Sequence, residues 1–284
     1  MIIWLASYPK SGNTWVRSLL SAYFFSQDGN FSFELLENIK QFSSKSYPDD
    51  NKNNLSFQNR ITRNWIPSQK IINKDKKTHL FKTHNAICTI NGNKFTDKFN
   101  TSAAIYIVRD PRNLITSLAN HYEYNIEEAL NFINNKRKII FPTTAKSNKN
   151  NEPDDFNFLG DWASHYNSWK NIDFCPVKII RYEDILKDVR GVFVSILKFI
   201  SEFIQFDVDD KKITNVINTT NFKKMSQMEK EKGFFESVRS EKTKKKIKFF
   251  NLGQDNNWKK LLDSKIIEKI NNNFKKEMNE LNYL

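Results

Sequence analysis

Ile2-Ile3-Trp4-Leu5-Ala6 leads directly into Ser7-Tyr8-Pro9-Lys10-Ser11-Gly12-Asn13-Thr14-Trp15, and this stretch decides the fold. Five successive apolar residues without alternation fit a strand buried on both faces. Ser7 to Gly12 is a polar turn. From Asn13 the apolar spacing becomes helical, with Val16, Leu19, Leu20, Tyr23 and Phe24 on one face. Strand, polar turn and helix form the opening unit of an α/β fold. The turn has the length of a Walker A loop, whose backbone N–H groups and following helix N-terminus cradle an anion. Two positions break the ATP pattern. Ser7 replaces the first glycine, and Asn13 stands where lysine is expected after Gly12. Such a loop suits a phosphate ligand other than ATP, although these residues alone also allow an ordinary βα turn with one exposed lysine, Lys10.

The same punctuation recurs along the chain. His79–Lys82, Ala103–Val108 and Val177–Ile180 are predicted strands. Arg109-Asp110-Pro111 stops the second of these, and Pro111 suits the first turn of the helix that follows. Further helices are expected over Glu127–Lys136, Leu159–Ile172, 188–205, 209–219 and 263–281. Residues 28–78 are polar, with weak periodicity and room for short helices, and 140–157 read as a loop. Alternating strands and helices without a repeat or linker predict one α/β domain over 1–284, a parallel sheet flanked by helices with a P-loop-like turn.

Composition narrows the class. Hydrophobic residues are 39% of the 284, and Gly and Pro number seven each against 24 Phe, so the chain is neither disordered nor collagenous. A formal net charge of +13 predicts anionic partners. Cys88 and Cys175 cannot make a disulfide framework and read as reduced, half-buried side chains. No apolar run approaches a membrane span, and Met1–Ala6 is too short for a signal peptide; a cytoplasmic location is the expectation. No His/Cys/Asp cluster has metal-ligand spacing, so no metal is expected.

Tyr8-Pro9-Lys10-Ser11-Gly12-Asn13-Thr14-Trp15 resembles the 5′-phosphosulfate loop, YPKSGTTW, of the cytosolic type of sulfotransferases that use 3′-phosphoadenylyl sulfate (PAPS). Ile105–Ser117 resembles their 3′-phosphate motif. Lys82-Thr83-His84 matches their KTH, Arg181-Tyr182-Glu183-Asp184 resembles their YED segment, and Thr220–Met225 their FxxM segment. These matches keep the family order. Asn251–Trp258 departs from the last motif, RKGxxGDW, keeping Gly253 and Trp258 but losing both basic residues.

The resemblance implies sulfuryl transfer from PAPS, leaving the product PAP, to a hydroxyl or amine of a small molecule or carbohydrate. His84 would be the general base, an assignment consistent with an imidazole that titrates near neutrality. Lys10 and Lys82 would stabilise the leaving group. Ser11, Gly12, Asn13 and Thr14 would hold the 5′-phosphate, and Arg109 and Ser117 the 3′-phosphate. Trp15 and Phe222 would sandwich the adenine, with Thr220 and Tyr182 at its polar edge and Gly253 nearby. The run Lys242–Lys248 would supply the missing cations, or simply be a solvated segment. Variable segments 28–78 and 137–157 would meet the acceptor, with Trp65, Phe57, Phe156 and Tyr124 lining a pocket or covering the core. Three rival readings are a P-loop nucleotide kinase, a degenerate sulfotransferase that binds without turnover, and a non-enzymatic protein binding nucleic acid through its positive charge.

Overall fold

The computed structural model describes residues 1–42, 56–141, 155–240 and 242–284. Strand β1 (Ile2–Ser7) is wholly buried and is followed by helix α1 (Asn13–Phe25). On one side β1 pairs with β2 (His79–Thr83), placing Leu5 opposite Lys82 and Ala6 opposite Thr83. On the other it pairs with β3 (Thr101–Val108), Ser7 lying opposite Ile107. Helix α2 (Pro111–Tyr122) follows β3, capped by the Asp110 side chain, and α3 spans Ile126–Asn134. Helix α4 (Trp162–Lys170) precedes β4 (Val177–Arg181), which pairs with β3 through Val108 and Arg181. The sheet order is β2-β1-β3-β4 and every pairing is parallel. This is the predicted α/β architecture.

Strand alternation divides the core into two layers. Ile2, Trp4, Ala6, Ala104, Tyr106 and Val108 pack with α2, α3 and α4 on one face. Ile3, Leu5, Ala103, Ile105 and Ile107 face the other layer, formed by α1 with α5 (Val189–Ser201) and α6 (Asp210–Thr219). Both faces of β1 and β3 are covered, which explains why these two read as near-continuous apolar runs. Trp65 and Phe156 are fully buried, and Phe57 and Tyr124 pack against the same core. The covering role, not the pocket role, is theirs. Cys88 and Cys175 are free and partly buried, as the sequence reading expects.

Some elements differ from expectation. A further helix, α7 (Phe222–Lys232), buries only Met225 and so carries almost no apolar periodicity. The expected helix over 263–281 breaks at Phe274, whose ring is buried against Trp162, leaving helices Ser264–Asn273 and Lys275–Glu280. A small antiparallel pair, Thr89–Ile90 with Asn93–Lys94, turns at Asn91-Gly92, both at positive φ. Ile139–Ile140 pairs with Asn157–Phe158, closing the base of the segment whose interior, 142–154, lies outside the described residues. The variable segment 28–78 contains helices Phe57–Thr62 and Trp65–Ile72, with 43–55 likewise outside.

Trp4 ties the central strand to its surroundings. Its indole N–H donates to Thr101 Oγ1 at 2.9 Å, and its ring meets Phe42 and Phe95 at 5.3 and 5.2 Å. Trp4→Ala removes both the packing and the hydrogen bond. Urea denaturation should register a loss of about 3–5 kcal/mol, and a loss under 1 kcal/mol would show that the aromatic cluster closes up without it.

Candidate active site

Parallel pairing brings the C-terminal ends of four strands to one edge of the sheet. A cavity of about 370 Å³ opens there. Lys10 and Gly12 reach it from the loop after β1, and Asn13, Thr14 and Trp15 from the first turn of α1, while Lys82 lies in β2 and His84 directly after it. Arg109 and Ser117 arrive from the end of β3 and α2, and Tyr182 from the end of β4. Phe222 and Gly253 complete the far wall. Ser11 and Thr220 are the exceptions among the predicted residues. Ser11 is buried, its Oγ has no partner among the described residues, and it does not line the cavity. The Thr220 hydroxyl donates to Val216 O at 2.7 Å, closing the last turn of α6 rather than facing the cavity.

The loop is built from its own side chains. The Asn13 amide, standing in the Walker lysine's place, donates to Leu5 O at 3.0 Å and Ser7 Oγ at 3.2 Å, stitching helix start to strand end. Lys10 has φ +66°, a conformation disfavoured for a residue with a Cβ. Gly12 at φ +100° is obligatory for a second reason: a Cβ there would lie 2.4 Å from Tyr182 Cδ2. The Tyr182 ring also stacks beneath the Arg109 guanidinium at 4.4 Å and edge-on to Trp15. Arg109 NH1 donates to Lys10 O at 3.0 Å, and its buried Nε has no partner among the described residues. Gly253 packs on the Phe222 ring, where a Cβ would come within 2.7 Å.

His84 is oriented by backbone carbonyls. Its Nδ1 lies 2.8 Å from Ser7 O, and a carbonyl can only accept, so Nδ1 carries the proton. Nε2 is then the basic nitrogen, with no bonding partner among the described residues. Buried His165 holds the same residue from behind: its Nε2 donates to His84 O at 3.0 Å, and its Nδ1 accepts from Tyr106 Oη at 2.7 Å. Burial, and then the charge of Lys82, push the His84 imidazole down to about 3, so it is neutral. Burial pushes Lys10 down to about 7, with Arg109 and Lys82 adding to the effect and Glu236 opposing it.

Glu236 is the residue that sequence reasoning missed. Its Oε1 accepts from Arg17 NH1 at 2.6 Å and from Lys82 Nζ at 2.9 Å, and Thr14 Oγ1 donates to Oε2 at 3.1 Å. Burial alone would raise this carboxyl, but Lys82 and Arg17 hold it far below the usual range. It sits in an aperiodic stretch after α7, and no local signal marks it. Arg17 carried a signal, being one helical turn from Asn13 and Thr14 and hence on their face. So did His121, four residues after Ser117. It lines the cavity and is pushed down to about 3, by burial and then by Lys10.

The degraded last motif still reaches the site. Asn251, Leu252, Gly253 and Asn256 line the cavity, with Asn256 Nδ2 donating to Asn113 O at 2.9 Å. Trp258 lies under the Arg112 guanidinium at 4.0 Å. Lys242, Lys244, Lys245, Lys246 and Lys248 are exposed and none lines the cavity. They form a solvated turn outside the cavity, flanked by buried Ser240 and Phe250. Gln41, Tyr122, Ile140 and Phe141 also line the cavity, and Trp65, Phe57, Phe156 and Tyr124 do not.

Two glycines permit a controlled test of the loop. Gly12→Ala meets both left-handed strain and the Tyr182 ring, whereas Gly92→Ala at φ +79° meets open space. Thermal or urea unfolding should show Gly12→Ala costing about 2 kcal/mol or more and Gly92→Ala only about 1 kcal/mol. Equal losses would mean that Tyr182 yields freely.

A model of the sulfotransferase domain matches residues 2–282. The amine sulfotransferase of Oryctolagus cuniculus is 24% identical over 225 residues, covering 78% of this chain and 62% of that relative's length. Among solved structures, a mouse sulfotransferase complexed with PAP has TM-score 0.54 at 19% identity, covering 98% of this chain and 84% of the other. Retinol dehydratase in complex with androsterone and inactive cofactor PAP has TM-score 0.58 at 14% identity, covering 98% and 80%. These likenesses establish the shared fold. From its phosphate loop to its C-terminal helices, this chain belongs to the sulfotransferase domain family.

Proposed function

We propose that the protein transfers a sulfuryl group from PAPS to a hydroxyl or amine of a small-molecule acceptor. The observation that carries this reading is the convergence of His84, Lys82, Lys10 and Arg109, from three strand ends, on one cavity. The surroundings fit an adenine nucleotide. Trp15 and Phe222 offer aromatic faces, Ser117 and Arg109 offer donors, and Arg109 Nε is a buried polar atom with no partner among the described residues. The backbone N–H groups at the start of α1 suit the 5′-phosphosulfate. PAPS supplies an activated sulfuryl group.

The roles follow from the chemistry. Neutral His84 accepts the acceptor's proton at Nε2 as the acceptor oxygen or nitrogen bonds to sulfur. The bond from sulfur to the phosphate oxygen breaks, and the electron pair stays on that oxygen. Protonated Lys10 and Lys82 bind the developing charge, in a cavity where such interactions are strong. Tyr122, Ile140 and Phe141 favour an acceptor with an apolar body. Asn13, spent on stitching the loop, argues against a Walker-type kinase. The buried setting of the clustered cations argues against a nucleic-acid groove.

Assay with labelled PAPS and an acceptor panel tests the activity, and calorimetry with PAP tests the donor site. His84→Ala should lower kcat by about 10²–10⁴-fold while leaving PAP affinity nearly unchanged. A variant keeping half its turnover would remove His84 from the mechanism.

The pH dependence has a definite sign. His84, lowered to about 3, stays in its basic form through mild acid. Lys10, lowered to about 7, loses its useful proton as the pH rises through that value. The kcat/KM profile for PAPS reports the free enzyme. It should therefore hold down to about pH 5, below the ordinary imidazole range, and fall above about 7. Lys10→Arg should abolish the alkaline fall. An acid limb at the ordinary histidine value would contradict the buried, cation-flanked setting of His84.

A further inference from the structure

The cations of the phosphate loop are already satisfied by the protein itself. Thr14 Oγ1, Arg17 NH1 and Lys82 Nζ all donate to the Glu236 carboxylate, whose side chain is only 17% exposed. The family resemblance assigns Thr14, and the proposed function Lys82, to the donor's phosphosulfate. A carboxylate therefore stands among the groups an incoming oxyanion would need. Leaving those cations buried without an anion would be costly, and a carboxylate and a phosphosulfate together would repel.

The segment that carries Glu236 makes a second contact of the same kind. It leaves α7 at Gly233, with φ +74°, and runs to Phe250, Arg239 pairing with Lys246 in antiparallel fashion. Phe249, near its far end, lies 3.6 Å from Lys10 Nζ. One carboxylate, Glu229, clips the segment in place by accepting from Ser237 Oγ at 2.8 Å, Phe249 N at 2.7 Å and Phe250 N at 3.0 Å. Phe234 and Phe250 are buried anchors on either side. Both catalytic-site lysines are thus engaged by this one stretch, Lys82 by a charge and Lys10 by an aromatic face.

From this geometry we infer that Glu236 is an internal anion that occupies the phosphosulfate subsite in the ligand-free protein and is displaced when the donor binds. Resting on the proposed donor, this inference adds two residues to its binding. Glu236 opposes binding by competing for the cations. Arg17 exchanges the carboxylate for the donor's oxyanion, becoming a third cation there and offsetting in part the basic pair absent at Asn251 and Leu252. The remaining groups facing Glu236 are Lys10, His84 and His121, all on the cavity side.

PAP titrations of the full chain test this directly. Glu236→Gln keeps the shape and removes the competing charge, so the dissociation constant for PAP should fall at least tenfold, with faster association in stopped flow. Glu236→Asp keeps the charge but draws it back by one methylene, and should tighten PAP by a smaller factor; it also serves if the Gln variant does not fold. A carboxylate that merely ties the segment down would give the opposite result. Unchanged or weaker PAP binding in both variants overturns the inference. So does an effect confined to the acceptor KM, which would place Glu236 on the acceptor side. Failure of the unaltered protein to bind PAP at all would instead sink the proposed function, a result separable from these.

Discussion

Parallel pairing of β1 between β2 and β3 is the constraint on which the rest depends. Parallel strands cannot be joined by tight hairpins, so each connection must travel back across a face of the sheet. All four strands consequently finish at the same edge. Register then decides which side chains meet. With Leu5 opposite Lys82 and Ser7 opposite Ile107, His84 comes level with the end of β1 and bonds Ser7 O, while Arg109 comes level with Lys10 O. Residues separated by about a hundred positions are held within hydrogen-bond distance by backbone pairing, before any side chain is asked to specify it.

Charge is the second constraint, and it acts inside the frame that the sheet provides. Lys10, Lys82, Arg17 and Arg109 are concentrated around one loop, most of them well buried. An arrangement of this kind is stable only with an anion in it. Glu236 meets that need through Lys82 and Arg17, which hold its carboxyl far below the usual range and keep it ionised despite burial. The same crowding keeps His84 and His121 neutral. Burial first, and the neighbouring lysines second, keep the proton off both imidazoles, so a neutral base stands beside the cations.

The divergent last motif shows how position and charge separate. Asn251, Leu252 and Gly253 still line the cavity, and Asn256 and Trp258 still dock on α2 through Asn113. Backbone placement therefore survives the loss of the basic pair. The neighbouring lysines of 242–248 stay in solvent, flanked by buried Ser240 and Phe250.

The sequence by itself determined the strand–loop–helix opening, the positions of the four strands along the chain and the residues at their ends. Continuous apolar runs and the switch to helical spacing are local properties, readable wherever a strand is buried on both faces. The roles at those strand ends came from motif resemblance, which holds residue by residue along the chain. Only tertiary structure decided that Thr220 and Ser11 turn away from the cavity and that the aromatics of the variable segments serve the core. It also decided the break at Phe274, where a buried ring against Trp162 interrupts an otherwise periodic helix. Glu236 is the clearest case. Its partners lie about 150 to 220 positions away, so no pattern within its own neighbourhood could mark it. A buried ion cluster is defined by which chain segments meet, and that information exists only once the sheet has brought them together.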